Sequence, residues 1–203
     1  MYDGRMPPDA TETKRRLMKA AIEEFAAYGL AGARIDRIAE NASANKRSIY
    51  MHFGTKEELF DIVVADSMIK LAQSISFEGG DLADYAGDLF DRLERWPHIR
   101  RLYLWAGLER QQPVEAEVQQ YRKRVSAIEA AQQAGEVRAD IPAAELMAMV
   151  IALVISWDTA TWSLRALQPE NRRETGSDHR ARVTAAVAAL TRPPRAGLPH
   201  HPG

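Results

Sequence analysis

Hydrophobic residues recur at helical spacing along most of the chain, and no strand-length alternation interrupts them. The stretch 35–42 shows the pattern clearly, because its apolar side chains share one face and its charged ones the other. The apolar residues are Ile35, Ile38, Ala39 and Ala42. The sequence therefore predicts an all-α protein in which this stretch is a short helix with Asp36, Arg37 and Glu40 exposed to solvent.

A second short helix is predicted after a turn of three to four residues. Asn45 has a side-chain oxygen that can accept a backbone N–H at a helix start, and the helix runs from Lys46 to about His52. Ile49 and Phe53 lie four residues apart and face inward. Two helices joined in this way form a helix-turn-helix, whose second helix lies in the major groove of DNA.

Cations stand at the starts of two helices in this region. Lys46 and Arg47 open the second helix, where backbone N–H groups attract phosphate and where Arg or Lys reaches guanine acceptors. Thr55 is expected to cap the next helix, and Lys56 lies in its first turn, where the helix dipole disfavours a cation unless a phosphate binds there. A solvated surface charge explains each cation alone more simply, so only the whole pattern favours DNA.

Glycine, proline and cap residues mark the bounds of the remaining helices. Tails at 1–9 and 193–203 are expected to be disordered, and 78–80 to break the chain. The predicted helices are 11–28 closed by Gly29, 55–76, a helix from Asp81 through Leu93, one from Pro97 through Leu108, 114–134 closed by Gly135, 143–167 after Pro142, and 178–190.

The segment 25–59 resembles the DNA-binding domain of TetR-type transcriptional regulators. The resemblance is ungapped and is carried by Phe25, Gly29, Ile35, Ile38, Ala39, Glu40, Ala42, Ser48, Ile49, Tyr50, His52, Phe53, Lys56, Glu57 and Leu59. It implies a DNA-binding domain at 10–54 and a larger helical domain at 55–192 that binds a small molecule and dimerises. The implied DNA contacts are Asn45, Lys46, Arg47, Ser48, Tyr50, His52 and Lys56, and we add Arg34 and Thr55.

The chain departs from the family pattern at four positions. Ala33 replaces the usual capping Thr, so that the cap is missing or is replaced by Arg34 acting on DNA. Ser43 replaces the usual turn glycine, which is tolerable only if Ser43 avoids a left-handed backbone or is strained. Arg47 and Met51 replace a small and an aromatic residue, so the operator sequence is expected to be this protein's own.

The stretch 143–167 is apolar on nearly all sides and must be buried on most of them. By resemblance, it forms a four-helix bundle with 182–190 across a homodimer, and the alternative is burial in a monomer core.

Polar residues interrupt the stretch 143–167, and by resemblance Asp158 falls where family members often place a polar pocket residue. An aromatic pocket with few polar groups suits an apolar or aromatic effector, although core packing explains any single aromatic residue here more economically. The predicted effector residues are Phe90, Trp96, Arg101, Tyr103, Trp105, Tyr121, Trp157, Asp158, Thr161 and Trp162.

Composition and charge narrow the class of protein further. The chain has 203 residues, no cysteine and a net charge of −1. Residues 1–53 hold nine Lys and Arg against seven Asp and Glu, while 54–203 hold 18 against 21, so positive charge is slightly enriched in the N-terminal quarter. Disulfides and thiolate metal sites are excluded, and neither a membrane-length apolar stretch nor a signal core is present, which predicts a soluble cytoplasmic protein.

Catalytic motifs are missing from the sequence. The five histidines lack metal-ligand spacing apart from the adjacent pair in the tail, and there is no nucleophile elbow, P-loop or dinucleotide fingerprint. We therefore expect no catalytic residue, no metal and no cofactor. An all-helical enzyme or a protein-interaction module is the alternative class, and a regulator without an effector is a further one. The expected partners are a palindromic DNA operator, a second copy of the chain and a small-molecule effector.

Overall fold

A computed structural model describes residues 10–77, 81–110, 112–167 and 176–194. The described residues form helices and connecting loops without any strand, which confirms the all-α prediction. The predicted break at 78–80 and the predicted tails, apart from residues 193 and 194, lie outside this part of the chain. The helices are α1 Ala10–Gly32, α2 Ile35–Asn41, α3 Lys46–Phe53, α4 Lys56–Gln73, α5 Leu82–Arg95, α6 Pro97–Glu109, α7 Glu115–Gln133, α8 Ala143–Val154, α9 Ser156–Thr159, α10 Trp162–Arg165 and α11 Gly176–Thr191.

Contacts divide the chain into two compact units. The first unit holds the residues up to 72 together with 96–118, and the second unit holds 73–95 and the residues from 119 onward. Helices α4 and α6 therefore pack with the first three helices. The predicted division at residue 54 concerns function and stays a prediction.

The core of the first unit is built from the inward faces of α1 to α4 and α6. Phe25 of α1 and Phe60 of α4 meet edge to face, with ring centroids 5.1 Å apart. Ile49 and Phe53 of α3 are buried, as the spacing of the sequence predicts. Because these two side chains face inward, the opposite face of α3 is exposed to solvent.

Gly29 ends the regular backbone of α1, as predicted. Its φ of 67° and ψ of −173° lie outside the helical region, and one short turn follows before α2. A left-handed φ is open to glycine at little cost, whereas a side chain strains it. Gly29 therefore sets the direction in which the chain leaves α1.

The second unit departs from the prediction at the end of α8. The expected helix 143–167 is wrong as a single helix, because α8 ends at Val154 and two single-turn helices follow. Ser156 donates its hydroxyl to the carbonyl of Leu153 at 2.8 Å, and Ala160 adopts an extended backbone with ψ at 139°. Thr161 then caps α10 by accepting the N–H of Leu164. Hydroxyl groups that bind nearby backbone compete with helix formation, and the apolar composition of the stretch hides this effect.

The helix α8 is also less buried than the sequence predicts. Leu146, Val150 and Val154 are in the core, whereas Ala148 and Met149 are exposed in the single chain. Among the described helices, none combines the length and the apolarity that crossing a membrane would require.

Candidate nucleic-acid interface

The turn between α2 and α3 is a tight hydrogen-bonded reversal. The N–H of Ser43 donates to the carbonyl of Glu40, and the N–H of Ala44 to that of Ala39, each at 2.9 Å. This pair of bonds is the Schellman arrangement, whose central residue is normally a glycine in the left-handed region. Ser43 occupies that position with φ at 49°, so the strain anticipated for a left-handed Ser43 is present.

Asn45 caps the start of α3, as predicted. Its side-chain oxygen accepts the backbone N–H of Ser48 at 2.9 Å and the Ser48 hydroxyl at 3.1 Å. Lys46 forms an ion pair with Asp36 across the turn. Arg47 is exposed and pairs with no acid among the described residues. The first turn of α3 is therefore fixed by its cap, and the Arg47 guanidinium remains available at the surface.

The predicted DNA-contacting side chains all remain accessible. Tyr50 is 53% exposed, although the neighbouring Ile49 is completely buried. This alternation follows from the orientation of α3 on the core. The nine residues, all exposed or half-buried, are Arg34, Asn45, Lys46, Arg47, Ser48, Tyr50, His52, Thr55 and Lys56.

One side of α3 borders a surface groove of about 470 Å³. Asn45, the cap of α3, lines it together with Ser48 and His52 of α3 and Arg16 of α1. The Nε atom of Arg16 is buried and has no hydrogen-bond partner in the described part of the chain. Lys14, Arg15 and Arg16 lie together near the start of α1, and Arg16 is not among the predicted DNA contacts, so sequence reasoning missed it. Their clustering at a helix start was the available signal.

The start of α4 is closed by a reciprocal capping box. The N–H of Glu58 donates to the Thr55 hydroxyl at 3.1 Å, and the N–H of Thr55 donates to the Glu58 carboxylate at 2.7 Å. Thr55 is thus confirmed as the cap. Lys56 is half-buried and its ammonium lies 3.4 Å from the carbonyl of Ala33. The loop between α1 and α2 therefore holds Lys56 close to the helix-turn-helix.

Glu24 is a second residue of this region that sequence reasoning missed. It is only 4% exposed, and its carboxylate accepts the backbone N–H of Arg34 at 2.7 Å. Arg34 makes no side-chain cap for α2, and the Glu24 carboxylate instead holds the backbone N–H of this N-cap residue. The same carboxylate binds the Arg37 guanidinium at 2.6 Å.

Arg37 was expected to be a solvated surface charge; its side chain keeps 36% of its exposure, but it is also ion-paired with Glu24. The hydrogen bond to Glu24 raises the pKa of Arg37 above its usual value, and the guanidinium also lies 4.2 Å from the ring centroid of Tyr28. These contacts hold the start of α2 against α1. The Glu24–Arg37 ion pair could not be predicted from local sequence patterns, because the two residues lie 13 positions apart.

The predicted effector residues are divided between the two units. Trp96, Arg101, Tyr103 and Trp105 belong to the first unit, and the other six belong to the second. In the second unit, Phe90 and Trp157 both contact the His179 ring, with centroid distances of 5.2 and 6.4 Å. His179 was not among the predicted effector residues, because only its metal-binding spacing was considered.

The remaining predicted effector residues have other surroundings. Trp162 is 82% exposed and Tyr121 is 38% exposed. Thr161 caps α10, and Asp158 is half-buried in α9. Burial raises the pKa of the Tyr103 phenol. Among the described residues, no group of His, Cys, Asp and Glu is arranged to hold a metal ion.

Arg101 and Trp105, two of the predicted effector residues in the first unit, both contact α1. The Arg101 guanidinium donates to the carbonyls of Ala26 and Ala27, and the Trp105 indole covers Gly29. Both side chains are therefore engaged with α1, and their assignment to an effector wall stays a prediction.

Comparisons with known proteins agree with this geometry. Residues 17–63 match the family described as bacterial regulatory proteins of the tetR family, and residues 81–189 match the tetracyclin repressor-like C-terminal domain. The HTH-type transcriptional repressor SCO4008 of Streptomyces coelicolor is 37% identical over 84% of this chain and 88% of its own length. The repressor NicS of Pseudomonas putida is 37% identical over 37% of this chain and 35% of its own.

Solved structures extend the similarity to the whole fold. SCO4942 of Streptomyces coelicolor matches with a TM-score of 0.77 and 28% identity, covering 88% of this chain and 98% of its own. FadR of Bacillus subtilis, solved in complex with stearoyl-CoA, matches with a TM-score of 0.64 and 17% identity, covering 87% and 98%. The chain therefore belongs to the TetR family of bacterial transcriptional regulators, and α2, its turn and α3 are the DNA-binding helix-turn-helix.

Proposed function

We propose that this protein is a homodimeric repressor that binds a palindromic operator and leaves it when a small apolar or aromatic molecule binds the second unit. The observation that carries the DNA-binding part is the construction of α3. Its start is capped by Asn45 and its inner face is buried, while Arg47 and Tyr50 project from the exposed face. A recognition helix needs this combination of a fixed backbone and free side chains.

Base reading and phosphate binding fall on different residues in this proposal. Arg47 and Tyr50 lie where side chains of a recognition helix contact base edges. Phosphate contacts fall on the cations and hydroxyls around them, because such contacts position the protein without reading sequence. The proposed phosphate contacts are Arg34, Lys46, Ser48, Thr55 and Lys56, and the groove adds Arg16 beside Asn45 and His52.

Selection of bound duplexes from a random DNA library tests the DNA-binding part. We expect the wild-type protein to enrich a palindrome and the double variant Arg47→Ala, Tyr50→Ala to lose it. Lys70→Ala is the control, because it also removes one exposed cation but from α4, where Lys70 pairs with Asp66. Failure of the wild-type protein to enrich any sequence at low salt would contradict the proposal.

Dimerisation is supported by the exposed apolar face of α8 in the single chain. Met149 is 41% exposed, and Ala148 and Ala152 are exposed on the same helix. We expect sedimentation to show a dimer at micromolar concentration and Met149→Arg to shift it to the monomer, since a buried unpaired charge is costly at an interface. Leu108→Arg is the control, because Leu108 is 78% exposed on α6. A wild-type monomer would exclude the dimer.

The effector proposal rests on the aromatic cluster of Phe90, Trp157 and His179, which joins α5, α9 and α11. Rings of this kind favour an apolar or aromatic ligand, and Asp158 and Thr161, which follow Trp157 in the sequence, are the proposed polar groups. The structural neighbour FadR was solved with stearoyl-CoA, so we would screen aromatic and acyl compounds for release of the selected operator.

For any compound that releases the operator, Trp157→Ala is expected to raise the concentration needed at least about tenfold, since a buried aromatic side chain contributes over 1 kcal/mol to binding. Leu164→Ala, at a residue 52% exposed, should have little effect. Operator affinity without compound should stay the same in both variants. An unchanged response of Trp157→Ala would remove this cluster from the effector site.

A further inference from the structure

Hydrogen-bonding side chains line the groove that borders α3. The lining residues come from α1, the turn and α3, and they are Thr13, Arg16, Ser43, Ala44, Asn45, Ser48 and His52. They include one arginine and three hydroxyls, and no acid is among them. Guanidinium and hydroxyl groups are among the groups that bind phosphate oxygens in protein–DNA complexes. The chemistry of the groove therefore suits an anion with several oxygen atoms.

Arg16 brings a positive charge to this groove. It is half-buried and forms no hydrogen bond or ion pair with another described residue, and its Nε atom is buried. The nearby Glu12 carboxylate is held instead by the Arg15 guanidinium, at 2.7 and 2.8 Å. That hydrogen bond is the main cause that lowers the pKa of Glu12, and Arg16 acts on Glu12 only through its charge. The Arg16 guanidinium therefore keeps donors that an anion in the groove can use.

Ser43 adds a hydroxyl to the same groove from a strained backbone. Its φ of 49° lies in the left-handed region, which a side chain makes costly and which glycine adopts freely. The Ser43 N–H is used within the turn, where it donates to the carbonyl of Glu40, whereas its exposed hydroxyl binds no other described residue. Strained residues cluster at binding sites, because the contact that the residue makes there offsets the strain.

The other polar residues of the groove are already engaged within the protein or belong to the recognition helix. Asn45 accepts the Ser48 hydroxyl at 3.1 Å, so this hydroxyl donates within the first turn of α3. The groove lies at that first turn, and the N-terminal residues of a recognition helix are the ones that enter the major groove of DNA. The anion nearest to such a helix start is a phosphate of the DNA backbone.

We propose that Arg16 and Ser43 together bind one phosphate in each operator half-site. This inference rests on the proposed function, because it requires a duplex on α3. Arg16 supplies the charge, and the Ser43 hydroxyl donates to another oxygen of the same phosphate. Phosphate contacts carry no sequence information, so both residues add affinity and position the duplex without reading bases. The Ser43 side chain thus stabilises the complex, although its backbone destabilises the free protein.

Ser43→Gly is expected to change folding and binding in opposite directions. Glycine relaxes the left-handed backbone, so the melting temperature should rise by about 2–4 °C. Operator affinity should fall by about tenfold on every sequence, because each half-site loses a hydrogen bond to a charged oxygen. Ser43→Ala is the matched control: it keeps the strained Cβ atom, so its melting temperature should stay that of the wild type while its affinity falls equally.

Arg16→Gln separates the charge from the hydroxyl. Its loss should weaken all sequences equally and reduce the salt slope by about one per bound arginine, whereas both Ser43 variants should keep the wild-type slope because a hydroxyl is neutral. Lys19→Gln is the control on the same helix, since Lys19 has a 74% exposed side chain and lies 4.0 Å from Glu23. Melting curves establish that each variant is folded.

Methylphosphonate linkages, which carry no charge, identify the phosphate that is bound. Full-length protein is titrated with operators in which one linkage of the half-site at a time is replaced. We expect one linkage whose replacement weakens wild-type binding by about tenfold, because a charge-assisted hydrogen bond is lost there. The same replacement should weaken the Arg16→Gln and Ser43→Ala variants clearly less than the wild type, since each has already lost part of this contact.

The outcomes distinguish the inference from the proposed function. If the wild-type protein binds its operator but the two variants respond to different linkages, or to none, the inference alone is overturned. Wild-type affinity in both Ser43 variants overturns it as well, because the hydroxyl then makes no contact with DNA. A wild-type protein that enriches no palindrome overturns the proposed function and the inference together.

Discussion

Replacing Glu24 by alanine is expected to lower the melting temperature of the protein by about 5–10 °C, the effect of removing a buried charged acceptor in a chain of this size. The Glu24 carboxylate is 4% exposed and serves both the Arg34 N–H and the Arg37 guanidinium. Its loss leaves the donors of two residues at the start of α2 without their acceptor. Thermal unfolding followed by the helical circular dichroism signal measures the effect.

The chain supplies a matched control at the adjacent position. Glu23 has a 62% exposed side chain and lies 4.0 Å from Lys19, so Glu23→Ala removes the same charge from the same helix at a solvated site. Its melting temperature should stay close to that of the wild type. Equal melting temperatures for the two variants would show that Glu24 does not hold α2 against α1.

Local signals explain why most of the helix-turn-helix could be predicted from the sequence. The caps Asn45, Thr55 and Asp81 act on backbone N–H groups two or three residues away, so the sequence alone places both partners. The inward positions Ile49 and Phe53 follow from helical periodicity in the same way. Fold class and the bounds of α2 and α3 depend on such short-range patterns.

Contacts between distant residues could not be predicted in this way. Glu24 and Arg37 each carry an ordinary surface charge in the sequence, and only the packing of α2 on α1 brings them together. Arg101 and Glu109 bind backbone atoms more than 70 residues away. A backbone atom can form such a bond whatever the type of its residue, so the sequence does not reveal these contacts. For this reason Arg101 was assigned to the effector pocket.

The second unit shows a different limit of sequence reasoning. The apolar composition of 143–167 is typical of one long helix, but the hydroxyls of Ser156 and Thr159 bind backbone carbonyls and α8 stops at Val154. Aromatic residues in a sequence also do not reveal which of them meet. Phe90 and Trp157 are brought together through His179, whereas Trp162 projects into solvent.

Arg47→Ala and Lys56→Ala are expected to weaken operator binding in two different ways. Arg47 is exposed at the start of the recognition helix, so its loss should cost about 1–3 kcal/mol on the best sequence and relax the preference at one base pair of each half-site. Lys56 lies beside the carbonyl of Ala33, and it is one of the proposed phosphate contacts. Its loss should weaken all sequences equally and reduce the salt slope by about one per bound lysine.

Titrations of the selected operator and of single-base variants, each at several salt concentrations, separate the two effects. Lys70→Ala provides the baseline for removing a cation from α4 away from the recognition helix. Because a guanidinium that reads a base also sits in the field of the phosphates, Arg47→Ala is expected to lower the salt slope as well, so base preference is the deciding measurement. If both variants lose the same affinity on every DNA sequence, Arg47 is a phosphate contact. Base reading would then depend on Tyr50 and its neighbours on the exposed face of α3.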